Sequence, residues 1–220
     1  MTDAVNPKRA YDSPRRREQA AATRRDILRA AQRQFEAEGF TATTMAAIAG
    51  GAGVATKTVY SAFETKGGVL RALWHLLLRG DEADVPVMDR TWYLEALHEP
   101  VARRQLELNA RNARAVKTRI AAVLDVIRHA APLDAEIAAL WARIQSDFYD
   151  NQRAIVESLE AKGALRPDLD VARGSDILWT LNHPDVWQLL VAQRGWTPEQ
   201  WERWFAATAR EQLLADASGS

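Results

Sequence analysis

Residues Thr44 to Leu73 read TMAAIAGGAGVATKTVYSAFETKGGVLRAL, and the fold follows from three of them. Two short helices packed at a steep angle need a small residue where they touch, a glycine in the turn and a branched apolar residue anchoring the second helix. Ala49, Gly53 and Val59 supply these in that order, and Ile48 and Val54 can fill the shared core. Thr43 and Thr44 offer a cap for the first helix, which the cluster of Gly50, Gly51 and Gly53 should end after Ala49. The second helix is expected over about 55–63, so a helix-turn-helix occupies about residues 45–63.

Working outward, Ile27, Leu28, Ala31 and Phe35 share one helical face and predict a helix over 18–38 that stops at Gly39. On the other side Thr65 can cap a helix over 66–79, whose apolar stripe includes Val69, Leu70, Leu73, Trp74 and Leu77. The acids and prolines of 81–100 predict a loop with a short helix near 90–97. Periodic stretches then predict helices over 101–130, 134–162, 170–181, 184–193 and 197–215. Thr197, Pro198, Glu199 and Gln200 open the last as a capping box with proline in its first turn. No stretch shows strand alternation, so the fold class expected is all-α: an N-terminal three-helix helix-turn-helix domain followed by a larger helical body.

Charge divides the chain in the same way. Formal net charge is zero, yet residues 1–66 hold 11 Lys and Arg against 7 Asp and Glu, leaving 18 against 22 for the rest. The head is basic and can approach phosphate, and the body is acidic. All eight tryptophans, Trp74 to Trp204, lie in the body. The expected domains are a flexible basic arm at 1–17, a helix-turn-helix domain at 18–65, a helical regulatory and dimerisation domain at 66–215 with 66–79 as connecting helix, and a disordered tail at 216–220. With no cysteine, no signal-peptide-like run and no apolar stretch near the ~18 residues of a membrane span, a cytoplasmic location without membrane attachment is expected.

The stretch Thr44 to Leu73 resembles the N-terminal domain of the TetR family of bacterial regulators. The likeness rests on the alanine-glycine-valine turn, the triplet Thr58, Val59 and Tyr60, then Phe63 and Lys66, and it covers roughly residues 20–75. Two departures stand out. Ala55 replaces a common serine cap, and Gly50, Gly51, Gly67 and Gly68 replace better helix formers, which predicts a shorter second helix and a loose start to the fourth.

On this reading the third helix enters the major groove of double-stranded DNA. Thr56, Lys57 and Ser61 are polar and project from its exposed face, which makes them the expected base contacts. Thr44, Thr58, Tyr60 and Lys66 are the expected phosphate contacts; the resemblance implies that role for Tyr60 and Lys66 in particular. The competing readings are a core aromatic for Tyr60 and a solvated surface lysine for Lys57.

For the body the resemblance implies a homodimer that reads a near-palindromic operator, and a small-molecule effector held among the central helices. Trp187, Leu190, Trp201, Trp204, Phe205, Thr208 and Leu213 offer apolar surface for the dimer, or for the chain's own core. Trp141, Gln145 and Phe148 share a helix face, and Trp179, Asn182 and His183 cluster before Pro184, as an effector pocket requires. An aromatic stripe at this spacing serves a core equally. His75, His98, His129 and His183 are scattered, so no metal, cofactor or enzyme activity is expected. The expected function is a DNA-binding regulator, by family default a repressor released by its effector. The alternative is a helical protein-binding or structural module that does not touch DNA.

Overall fold

A computed structural model describes residues 14–81, 83 and 85–215 of the 220. The chain forms two compact units, Met1–Val69 and Leu70–Ser220. The described residues contain no strand; one isolated antiparallel bridge joins Leu165 and Leu214.

In the first unit, α1 (Pro14–Ala42) carries Ile27, Leu28, Ala31 and Phe35 on its buried face, as the spacing predicts. It starts at Pro14, four residues before the predicted Glu18, because proline suits a first helical turn. Residues 14–17 of the expected arm are thus helical, whereas 1–13 lie outside the described residues, as do 216–220 of the expected tail. The helix kinks at Gly39 (φ 74°, ψ 176°). Next, α2 (Met45–Ala52) is capped by Thr44, whose hydroxyl accepts from the Ala47 N–H at 3.1 Å. It passes through Gly50 and Gly51 instead of ending at Ala49. The stop is Gly53, left-handed at φ 68° and ψ 29°, whose N–H closes on carbonyls of the last turn.

α3 (Thr56–Phe63) starts without a side-chain cap, as Ala55 foretells, and buries Val59 and Phe63. It leaves through a tight γ-turn. Glu64 sits at φ 64° and ψ −54°, and the Thr65 N–H reaches the Phe63 carbonyl at 2.7 Å. α4 (Lys66–Arg79) then begins in close packing, not looseness. A Cβ on Gly68 would lie 2.2 Å from the Phe63 carbonyl oxygen, so only glycine fits.

The second unit holds the rest of α4, then α5 (Thr91–His98), α6 (Ala102–Ala130), α7 (Ala135–Ala161), α8 (Val171–Leu181), α9 (Pro184–Trp187) and α10 (Pro198–Leu213), with short 3-10 turns before α5 and α7. Asp134 caps α7 through the Glu136 and Ile137 N–H groups, and the predicted Thr197–Gln200 capping box opens α10. The single helix expected over 184–193 is instead one α turn followed by a π-helical stretch, Gln188–Gln193. The segment before α5 is ordered by Arg90. Its guanidinium binds both carboxylate oxygens of Asp81 at 2.6 and 2.9 Å and also the Ala83 and Val85 carbonyls. The core joins α6, α7, α8 and α10 through Leu106, Ile155, Leu159, Leu178, Trp201, Phe205 and Leu213.

Candidate functional site

The face presented by the first unit follows from the burial of Val59. At about 100° per residue, Lys57 and Ser61 fall opposite Val59, one turn apart, with Thr56 and Tyr60 on one flank and Thr58 on the other. Lys57, Thr58, Tyr60 and Ser61 are exposed, and Thr56 is half-buried. Tyr60 is 51% exposed, which removes its reading as a core aromatic. Thr44 is exposed at the start of α2, where its hydroxyl accepts one bond and can still donate its O–H to another acceptor. Thr58 and Ser61 also border a wide groove whose other wall is α1, with Arg15, Arg16 and Arg24. Arg24 holds α3 in place: its guanidinium donates to the Ala62 carbonyl at 3.0 Å and lies 4.2 Å over the Phe63 ring.

Lys66 departs from its expected role. Its ammonium donates to the carbonyls of Phe40, Thr41 and Thr43 at 2.6, 3.3 and 2.9 Å and lies 4.4 Å from the centre of the Phe40 ring. The kink at Gly39 leaves those carbonyls without ordinary helical partners, and the lysine supplies them. An ammonium committed to three carbonyls is a structural tie, not a ready phosphate ligand.

The second unit holds a partly open cavity of about 130 Å³ between α4, α5, α6 and α7 and the end of α8. Of the predicted pocket residues, Trp141, Gln145, Phe148 and Asn182 line it, joined by Trp74, Trp92 and Tyr93. Trp179 and His183 stand behind this wall, outside the lining. Their rings meet at 4.8 Å, and His183 contacts Phe148 at 6.5 Å. The His183 ring accepts from the Asp185 N–H and so caps α9, a task that needs its Nδ1 unprotonated. Burial lowers the His183 pKa, partly opposed by Asp185, with Lys117 and Arg128 adding to the lowering.

The cavity holds one residue that sequence reading passed over. Lys117 of α6 is 5% exposed and lines the wall, with its ammonium donating to the Asn182 side-chain oxygen at 2.7 Å. Asn182 in turn donates to Gln152 at 3.1 Å. The ammonium also lies 5.2 Å from the ring centres of both Phe148 and Trp201. No carboxylate among the described residues pairs with it, and burial takes its pKa from 10.5 down to about 7. Signal for it was present, since Leu106, Ala110, Ala113, Lys117, Ile120, Leu124 and Ile127 step by three and four along α6, and the lysine interrupts an otherwise apolar stripe.

Comparison with known proteins fits this anatomy. Residues 27–73 match the family described as bacterial regulatory proteins, tetR family, a span that includes α2, α3 and the turn to α4. The match is confined to the N-terminal domain, which is similar to that family. Solved structures extend the likeness of fold to the body of the chain. NalD, the secondary repressor of the MexAB-OprM multidrug efflux pump in Pseudomonas aeruginosa, is 20% identical, with a TM-score of 0.68 over 90% of this chain and 99% of that one. A transcriptional regulator from Saccharomonospora viridis in complex with choline is 16% identical, with a TM-score of 0.67 over 89% and 99%. SmeT in complex with triclosan is 16% identical, with a TM-score of 0.67 over 90% and 95%. At these identities the likeness establishes the fold: a TetR-type head and a helical TetR-type body. A search of curated protein sequences finds no match.

The residues expected at a dimer interface of the body divide sharply. Trp187, Trp201, Phe205 and Leu213 are buried within the single chain, with Trp201 stacked on Phe205 at 5.0 Å and edge-on to Trp187 at 5.1 Å. They are core, and their expected place in an interface is corrected accordingly. Leu190, Trp204 and Thr208 keep part of their surface, and Leu189 beside them is 51% exposed. No helix among the described residues is long and apolar enough to cross a membrane.

Proposed function

We propose that this chain is a cytoplasmic homodimeric repressor of the TetR family that reads a near-palindromic operator with α3 and leaves it when a small molecule fills the cavity of the body. Lys57 and Ser61, with Thr56 beside them, read base edges; Thr44, Thr58 and Tyr60 hold phosphates. The observation that carries the reading is the pairing, in one chain, of an exposed polar α3 on a TetR-type head with a partly polar, aromatic-walled cavity in the body. A cavity of about 130 Å³ approaches the ~150 Å³ at which an apolar site accepts benzene. Two structures of the same fold are complexes with small molecules, choline and triclosan, which supports an effector here. Leu189, Leu190, Trp204 and Thr208 form the proposed interface between copies, because they are the apolar and small surface left on α9, the π-helical stretch and α10.

The test is selection of bound duplexes from a random pool, followed by a release screen on the selected site. An enriched near-palindrome, bound in a salt-dependent way by a dimer, is the expected result. Failure to enrich any sequence, with binding to no duplex at low salt, would favour a helical module that works on other proteins.

A further inference from the structure

The most deeply buried polar groups of the cavity lean towards donors, although Asn112, Gln145 and Asn151 also bring amide oxygens to its lining. Among its buried polar atoms, those without a hydrogen-bond partner are the Tyr93 hydroxyl and the Asn109 side-chain nitrogen, and both can donate. Lys117 adds an ammonium that spends one of its three hydrogens on Asn182. The acceptors next to it are already used: the Asn182 oxygen by Lys117 and the Gln152 oxygen by Asn182. The cavity's carboxylate, Asp147, is exposed at the rim and paired with Arg143 at 3.4 Å, so it does not balance the charge within. Around the cation stand flat apolar walls, Trp74, Trp92, Trp141 and Phe148.

We propose that the effector of this cavity is a hydrophobic organic anion, a carboxylate or its equivalent, whose charged head pairs with Lys117 while its body lies between the aromatic walls. The inference rests on the effector reading above and names the chemical class of that ligand. Asn109 and Lys117 are eight residues apart on α6, roughly 12 Å along the helix axis at 1.5 Å per residue. A second acceptor at the far end of the ligand, such as a hydroxyl or carbonyl oxygen, would therefore meet Asn109 there. The pairing explains why a cation is held in a nearly dry wall. Alone it exchanges its hydration for one hydrogen bond to Asn182 and two ring faces, whereas an anion in the cavity supplies the missing opposite charge. Binding also draws a proton. With its pKa near 7, Lys117 is largely neutral at pH 8.5 and must be protonated to pair. The charged and titratable groups near it are His183 and Asp185 from neighbouring elements and Asp125 and Arg128 from α6 itself, with Asp147 at the rim. His183 is held below its usual 6.5, so it is already neutral across pH 7.5–8.5 and does not share this window.

The experiment uses the full chain and calorimetric titration with three acids, 4-hydroxycinnamate, naphthalene-2-carboxylate and decanoate, each beside its methyl ester and its corresponding primary amine. The expected result is binding of at least one acid, with its ester and amine at least tenfold weaker. Its Kd should rise roughly eightfold between pH 7.5 and 8.5, as expected for a site that must take up one proton at a pKa near 7. Lys117→Met should abolish both the preference for acid over ester and the pH dependence. Binding of none of the acids, binding of esters or amines as tight as acids, or unchanged acid binding by Lys117→Met would overturn the proposal. DNA release is read separately on the selected duplex. An acid that binds through Lys117 without releasing DNA refutes the effector reading and leaves the anion site standing. A neutral or cationic compound that releases DNA, while the acids do not bind, does the reverse.

Discussion

Replacing Lys117 by methionine should make the ligand-free protein more stable at neutral pH, and the amount follows from the cavity. Burial lowers the lysine's pKa from 10.5 to about 7. At about 1.4 kcal/mol for each tenfold change in proton affinity, the folded state is penalised by about 5 kcal/mol at and below about pH 7. Methionine has a similar shape and no charge, so it removes that penalty. It also leaves the Asn182 oxygen without its donor, a loss of about 1–3 kcal/mol. The net gain at pH 7 is about 2–4 kcal/mol. The sign reverses with pH. Between 7 and 10.5 the unfolded state binds one more proton than the folded state, so the parent gains about 1.4 kcal/mol of stability per pH unit. Near pH 10 the penalty has almost gone, the lost hydrogen bond remains, and the variant should be the weaker protein by about 1 kcal/mol. Urea unfolding followed by tryptophan fluorescence measures this directly, since all eight tryptophans belong to the second unit. A variant less stable than the parent at pH 7, or a stability difference that does not change with pH, would show that the ammonium is compensated in the free protein and refute the reasoning.

Four further outcomes are expected. Lys66→Met should cost the first unit about 2 kcal/mol, through the loss of charge-assisted bonds to three carbonyls, while the salt dependence of DNA binding, read by fluorescence anisotropy, stays within error of the parent. Glu64→Gly should stabilise that unit by about 1 kcal/mol by relieving a positive φ, and Gly68→Ala should destabilise it by about 2–4 kcal/mol by driving a methyl into the Phe63 carbonyl; circular-dichroism melts of the two variants should move in opposite directions. Lys57→Ala should relax base preference at one operator position by about 1–3 kcal/mol, whereas Tyr60→Phe should weaken cognate and random duplexes alike, as competition binding would report. Trp204→Glu should give a folded monomer in sedimentation, whereas Trp201→Ala should lose about 3–5 kcal/mol of stability because its ring is fully buried.

What was legible in the sequence was local. Ala49, Gly53 and Val59 sit within eleven residues, and each answers to a backbone need that no distant residue can change, so the turn was legible, although α2 runs on past Ala49 to Ala52. The caps at Thr44, Asp134 and Thr197 were legible for the same reason. Lys66 was misread because its partners come from residues 40 to 43, more than twenty positions earlier, and from a kink whose effect on free carbonyls is a property of the folded chain. The final helix shows another limit. Periodicity identifies an apolar face, but Trp201 and Phe205 are fully buried in the chain's own core while Trp204 packs against it and keeps part of its surface, and the division depends on where α6 and α8 lie.

Lys117 lies between these cases. Its phase in the apolar stripe of α6 was readable, and a lysine in such a position ordinarily bends outward along its own stem to keep the ammonium wet. Here Asn182, Phe148 and Trp201 surround the ammonium instead, from three other helices. A stripe residue that destabilises the free fold by several kcal/mol is a local rule broken without compensation inside the chain, and such breaks concentrate where a chain gives up stability for binding. Sites that evolve only for packing fill with leucine. The body therefore carries two kinds of polar burial: Gln105, fully matched by Lys162 and the Leu97 carbonyl, which fastens the core, and Lys117, matched on one side only, which leaves a charge and two further donors facing empty space. That contrast within one fold makes the cavity a site and gives its ligand a sign.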